Sequence, residues 1–409
     1  MKIMFISHRV HDNVCSRIHY NALKRINNND VLFVDLAPEM NYSNNDDYVC
    51  FGSFSLIEKM SWVFKKTTWY LSSKRINEIC DLITSRNVKV IFIDDSCLGI
   101  LAKTIKKRYP DVRIITFYHD VVTYLYNQSV FNNGLKFKLI MREAGILGEM
   151  NAQKYSDVNL LLNQRDAKLY YQYYGKNPEG ILPMGVEEPD LENKEAAEFI
   201  FNHDIKMKYI LFVGAYYQPN LDGLRWYVDN VFKWINQDYK LVVIGRGLEK
   251  IAFEYENINN IYIIGGVKEL APYYNNADIV IAPIFSGGGM KQKTAEAFAY
   301  GRTFIGTKES LQGYEDEIGL QDSGKTIVFS CDTAKEQIEA LTQIKEENSY
   351  EYHKVLTDVY WNKYSILAIQ KTIKHWIGYL NQNSSRGERD DDKKESSIAE
   401  RMGGATMRN

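Results

Sequence analysis

Short apolar runs alternate with amphipathic stretches of helix length from one end of this chain to the other. That rhythm belongs to a parallel sheet whose strands are joined by helical crossovers. In the first half the strand candidates are Lys2 to Ser7, Val31 to Asp35, Val88 to Asp94, Val112 to Phe117, Asp157 to Leu162 and Gly180 to Pro183. The rhythm breaks after Leu182-Pro183-Met184-Gly185-Val186, where residues 187–206 are polar and acidic apart from Phe199 to Phe201; this stretch is read as a linker. It resumes at Tyr209 to Val213, Lys240 to Ile244, Asn260 to Ile264, Asp278 to Pro283, Thr303 to Gly306 and Thr326 to Phe329. At 409 residues the chain exceeds what one core usually holds. The expected fold class is therefore α/β, with two doubly wound parallel-sheet domains, 1–186 and 207–349, facing a cleft that is the default ligand site. Residues 350–380 read as helices packing across the domains. The tail 381–409 is too polar to bury a core and is expected to be disordered.

Bulk properties exclude several roles. The formal net charge of -2, with 25% charged residues of mixed sign, gives no reason to expect nucleic acid. The cysteines Cys15, Cys50, Cys80, Cys97 and Cys331 form no metal-type pair and no even framework, so they read as reduced thiols. The N-terminus starts directly with a strand, which argues against a signal peptide, and no apolar run is long enough to span a bilayer. A cytoplasmic protein is expected. One segment qualifies this: residues 54–75 place Trp62, Phe64, Trp69 and Tyr70 beside Lys59, Lys65, Lys66, Lys74 and Arg75. Such a mixture suits peripheral contact with an anionic lipid surface, and equally a buried helix with snorkelling lysines. The 29 tyrosines suit carbohydrate surfaces, although a biased genome gives the same composition.

The chemistry concentrates at Ile284-Phe285-Ser286-Gly287-Gly288-Gly289-Met290-Lys291-Gln292-Lys293-Thr294-Ala295-Glu296, where a strand passes through glycines into a helix. Without Cβ atoms, glycines let backbone N–H groups close on an anion; the helix N-terminus adds partial positive charge, and Lys291 adds a full one. Three glycines also make a plain flexible loop. The flanking charges favour a phosphate ligand.

In order along the chain, Pro183-Met184-Gly185-Val186, Leu211-Phe212-Val213-Gly214-Ala215 with Pro219-Asn220, Val243-Ile244-Gly245-Arg246-Gly247, Ile264-Gly265-Gly266-Val267, Asn276 to Pro283 and Glu296-Ala297-Phe298-Ala299-Tyr300-Gly301 form one series. This series resembles the nucleotide-sugar-binding half of the retaining glycosyltransferases of the two-Rossmann GT-B architecture, especially family four. The resemblance covers the second domain and, more weakly, the layout of the first. It implies donor-binding roles for Gly214, Arg246, Val267, Ser286, Gly287, Gly288, Gly289 and Met290, with Lys291 neutralising the diphosphate and Glu296 accepting hydrogen bonds from the ribose. It also implies that His119, at the end of a first-domain strand, contacts the donor sugar near the reacting centre, while His8, Arg9, Ser16 and Arg17 line the acceptor side. Many family members carry a glutamate where this chain has Gly288, and a glycine cannot act as a carboxylate.

The expected activity is transfer of a sugar from a nucleotide diphosphate to a hydroxyl acceptor on a glycan, lipid-linked carrier or protein, with retention, in polysaccharide biosynthesis. No cofactor or metal is expected, since lysine and backbone N–H groups stabilise the leaving phosphate. Two alternatives stand beside it: a nucleotide-sugar epimerase on the same architecture, and a non-catalytic nucleotide-sugar-binding subunit, for which Gly288 is the motive.

Overall fold

The computed structural model describes residues 2–27, 30–37, 46–53, 55, 58, 71–128, 135–193 and 208–382. The described chain divides into two compact units, one holding residues up to 183 together with those from 366 onward, the other residues 184–365.

The first unit is built on a seven-stranded sheet of β1 (Lys2–Ser7), β2 (Val31–Asp35), β3 (Tyr48–Cys50), β4 (Val88–Ile93), β5 (Arg113–Tyr118), β6 (Val158–Leu161) and β7 (Gly180–Ile181), in the order β3-β2-β1-β4-β5-β6-β7. Every pairing is parallel. Its central strands are apolar on both faces because helices cover both: Met4, Phe5, Ile6, Ile91, Phe92 and Ile93 are fully buried. The helices Val14–Ile26, Ser73–Ser85 and Gln164–Tyr174 each start on a side-chain cap, from Asn13 to the Ser16 N–H, Ser72 to Arg75 and Asn163 to Asp166. Gly99–Arg108 and Leu135–Tyr155 meet at glycines. A Cβ on Gly99 would lie 2.0 Å from the Gly148 carbonyl oxygen, and one on Gly148 2.3 Å from that of Cys97.

Several expectations change here. Tyr48–Cys50 is an edge strand that is absent from the strand candidates of the sequence. Most of the basic aromatic segment 54–75 and the tail beyond 382 lie outside the described residues; of that segment, Arg75 is buried and donates to Glu58 and to the Gly52 carbonyl. Residues 350–380 split between the units. The helix Ile366–Gln382 packs on Val14–Ile26 of the first unit, and its Trp376 indole occupies the space left by the missing side chain of Gly180.

The second unit carries a six-stranded parallel sheet of β8 (Lys208–Val213), β9 (Tyr239–Ile244), β10 (Ile261–Gly265), β11 (Ile279–Ala282), β12 (Thr303–Gly306) and β15 (Val328–Ser330), preceded at its last strand by the hairpin β13 (Gln321–Asp322) and β14 (Lys325–Thr326). The order is β10-β9-β8-β11-β12-β15, so the winding reverses between β8 and β11. Residues 187–193, expected as linker, lie on this unit: Asn275 donates to the Asp190 and Asn193 carbonyls, and the Tyr360 hydroxyl to that of Glu187. The remainder of the linker is outside the described residues. The helix Lys354–Lys363 packs against Gln292–Ala299.

Candidate functional site

At the reversal between β8 and β11, a cavity of about 540 Å³ opens at the carboxyl ends of the strands. Open α/β sheets bind ligands at such a point, because the crossovers leave the sheet in opposite directions and part the loops. Gly214, Arg246, Val267, Ser286, Gly287, Gly288, Met290, Lys291 and Glu296 all line it. Gly289 does not, but its φ of +61° and the +135° of Gly287 turn the loop around the opening. The loops after β8 and β9 touch backbone to backbone: a Cβ on Gly245 would sit 1.5 Å from the Gly214 carbonyl oxygen. Arg246 follows directly and is exposed at the wall.

The polar floor comes from the segment that opens Gln292–Ala299. Lys291 is the residue that precedes this helix, and its Nζ donates to the Glu309 carboxylate at 2.7 Å and to the carbonyls of Gly288 and Gly289 at 3.1 and 3.2 Å. Lys293, two positions on, is only 9% exposed. Its Nζ donates to Asn220 Oδ1 at 2.8 Å and lies 4.7 Å from the centre of the Phe212 ring. Burial pushes the Lys293 ammonium down to about 7, with Glu296 opposing and Lys291 reinforcing the shift. Glu296 accepts from the Tyr274 hydroxyl at 2.8 Å and from Gln292 Nε2 at 2.5 Å. Burial raises its carboxyl above the usual range against those bonds. Tyr274 is itself held by stacking on Tyr300, with ring centres 4.8 Å apart.

In the first unit, His8, Arg9, Ser16 and His119 gather at the carboxyl ends of β1 and β5, around Asp94 and Asp95 that follow β4. His119 Nε2 is 3.0 Å from the Asp94 carbonyl and 3.4 Å from Ser16 Oγ. Arg9 pairs with Asp95 at 3.0 Å and donates to His8 at 3.1 Å. Beneath them, the fully buried Asp94 carboxylate accepts from Ser7 Oγ at 3.1 Å and pairs with His19 Nδ1 at 2.7 Å. Burial alone would raise the Asp94 carboxyl, but His119 and His19 hold it well below the usual range. Burial likewise opposes charge on His19, yet Cys15 and Asp94 push it up to about 9. His8, buried with less compensation from Asp95, falls to about 4.

Lys293, Asn220, Glu309, His19, Asp94 and Asp95 were not assigned roles from the sequence. Lys293 carried a signal, a second lysine in the same motif. Asp94 stood at the end of a strand candidate and Asp95 one residue beyond. Glu309 and His19 reach their partners through tertiary folding and had none. Among the described residues, no group of three or more His, Cys, Asp or Glu side chains is placed to hold a metal ion, and no helix is long and apolar enough to cross a membrane.

Two Rossmann-like units of this kind define the GT-B fold. Residues 207–346 match the family model "Glycosyl transferases group 1". Among solved structures, sucrose-phosphate synthase from Thermosynechococcus elongatus superposes with a TM-score of 0.68 at 13% identity, over 93% of this chain and 99% of that one. HepE from Anabaena, solved in complex with UDP-glucose, gives 0.66 at 10% identity over 93% and 100%. The lipopolysaccharide outer core galactosyltransferase WaaB gives 0.62 at 14% over 93% and 99%. At these identities the likeness concerns the fold. No curated protein matches the chain.

Proposed function

We propose that the chain is a retaining glycosyltransferase that moves a sugar from a nucleotide diphosphate to a hydroxyl of a carbohydrate or lipid-linked acceptor. The carrying observation is that a glycine loop, two lysines and a carboxylate surround one cavity at the winding reversal of the second unit. In this reading the N–H groups of Ser286 to Met290 and the Lys291 ammonium bind the diphosphate and stabilise the charge that grows on it as the sugar leaves. Lys291 exchanges Glu309 for phosphate in doing so. Glu296, oriented by Tyr274 and Gln292, accepts hydrogen bonds from the ribose; Arg246 pairs with phosphate, and the Val267 backbone meets the base. His119, fixed by Asp94 and Ser16, contacts the donor sugar, and His8, Arg9 and Ser16 belong to the acceptor side. The departing phosphate takes the acceptor proton, so no protein base is needed and the charge is met without a metal.

Because HepE is solved with UDP-glucose, UDP-sugars are the first donors to test. Incubating the chain with UDP-, GDP- and ADP-sugars and glycan or lipid-linked acceptors should give a product whose anomeric configuration, read by proton NMR, matches the donor, at a rate unchanged by EDTA. Failure of every nucleoside diphosphate to bind sinks the reading. Gly288 favours one other reading: its carbonyl accepts from Lys291, and it stands where many members of the family that the sequence resembles carry a glutamate, which suits a non-catalytic binding subunit. Tight donor binding without transfer to any acceptor would select that reading.

A further inference from the structure

We propose that Lys293 is a second anchor for the anion bound in the cavity of the second unit, and that it takes up a proton from solvent as the anion arrives. This rests on reading that cavity as a diphosphate site.

The two lysines of the motif stand in different electrostatic settings. Lys291 is ion-paired with Glu309 at 2.7 Å, so its charge is balanced with or without a ligand. Lys293 lines the same cavity but is buried, and its contacts are a neutral amide oxygen in the first turn of the helix Gln218–Tyr227 and the face of the Phe212 ring on β8. Dipoles and a ring quadrupole compensate a buried ammonium only in part. The charged groups that act on it, Glu296 and Lys291, come from its own segment, while β8 and the helix Gln218–Tyr227 that follows it bring Phe212 and Asn220, neither of which titrates. Glu296 is partly committed to Tyr274 and Gln292.

With its ammonium held near 7, the empty cavity at neutral pH contains a mixture of charged and uncharged Lys293. A phosphate oxygen in the cavity supplies the anionic partner that the fold withholds. The Nζ turns from Asn220 to the anion, its protonated form is favoured, and one proton leaves the buffer for the lysine. Binding is then linked to pH through this residue: affinity is highest below pH 7 and falls as pH rises toward 9, as the proton becomes harder to acquire.

The test is isothermal titration of inorganic pyrophosphate and UDP into the full chain, in buffers of different ionisation enthalpy, which yields protons bound per ligand. Lys293→Arg is the key variant, because a guanidinium stays protonated and so cannot take up a proton, while still serving as an anchor. The ligand's own titration cancels in the difference between wild type and Lys293→Arg. Wild type is expected to take up about 0.5 more proton per ligand than Lys293→Arg at pH 7 and close to one more at pH 8. Lys293→Met should lose at least about tenfold in affinity together with the uptake, and Lys291→Met should lose affinity while keeping a smaller uptake, since Lys291 no longer opposes the charge on Lys293. Equal proton uptake in wild type and Lys293→Arg, or unchanged affinity in Lys293→Met, overturns the proposal while leaving a nucleotide-diphosphate site intact. If neither pyrophosphate nor UDP, GDP or ADP binds, both the proposal and the functional reading fall.

Discussion

Residues of the same type acquire different chemistry here through their partners. Lys291 holds a carboxylate, two carbonyls and a place in the cavity wall; in the proposed reading its Glu309 partner competes with the anionic ligand. Replacing Lys291 by Ala should therefore weaken binding of the nucleoside diphosphate by about 10- to 100-fold, the range of one or two charge-assisted hydrogen bonds. Replacing Glu309 by Gln should tighten it by up to about tenfold; weaker binding would mean that Glu309 orients Lys291 rather than competing for it. Titration calorimetry reads both. In the first unit, His19 is buried beside Asp94 with its folded value near 9, above the ordinary 6.5. A raised value means that folding binds the proton, so this stabilisation, about 3 kcal/mol, is complete below pH 6.5 and is lost as pH rises through 9. The stability gap between wild type and His19→Gln in urea unfolding should shrink over that window. A gap independent of pH would show that the pair does not hold a proton in the folded state.

At the scale of elements, close approach depends on absent side chains. The helices Gly99–Arg108 and Leu135–Tyr155 approach so closely that a Cβ on Gly99 would strike the Gly148 carbonyl and one on Gly148 the Cys97 carbonyl just before the first helix. A Gly148→Val chain must push the helices apart, at a cost of about 1–3 kcal/mol or more, and urea unfolding should show it while pyrophosphate affinity in the second unit stays unchanged. The strands were legible because both faces of a parallel sheet are covered, which makes each strand an apolar run; β1, β2 and β12 begin and end where the sequence places them. The Tyr48–Cys50 strand was not legible. Tyr-Val-Cys is an apolar run of only three half-buried residues after a polar stretch, too short to mark a strand, and pairing with β2 is what makes it one.

For the molecule as a whole, the chain leaves its first unit after Pro183 and returns to it at Ile366. Its last helix is apolar toward Val14–Ile26 and meets a gap at Gly180, so it completes the first core rather than extending the second. Two compact units with the proposed ligand cavity in the second predict separable thermal behaviour. Scanning calorimetry should show two transitions, and a nucleoside diphosphate at about 100 times its Kd should raise only that of the second unit, by about 2.7 kcal/mol. A single transition that the ligand shifts as a whole would show that the units unfold as one.

The sequence by itself determined the parallel α/β architecture, twice over, and the place of the cavity's glycine and lysine segment, because hydrophobic period and glycine spacing are local properties that survive without a third dimension. It named nine of the residues that line the cavity. Tertiary structure alone decided the charges: Glu309 on Lys291, Asn220 and Phe212 on Lys293, and the Asp94 hub beneath His119 all join residues far apart in the chain. Partnership of that kind is set by which strand ends the winding brings side by side. Which element the last helix joins was decided in the same way, by an indole finding the space over a glycine.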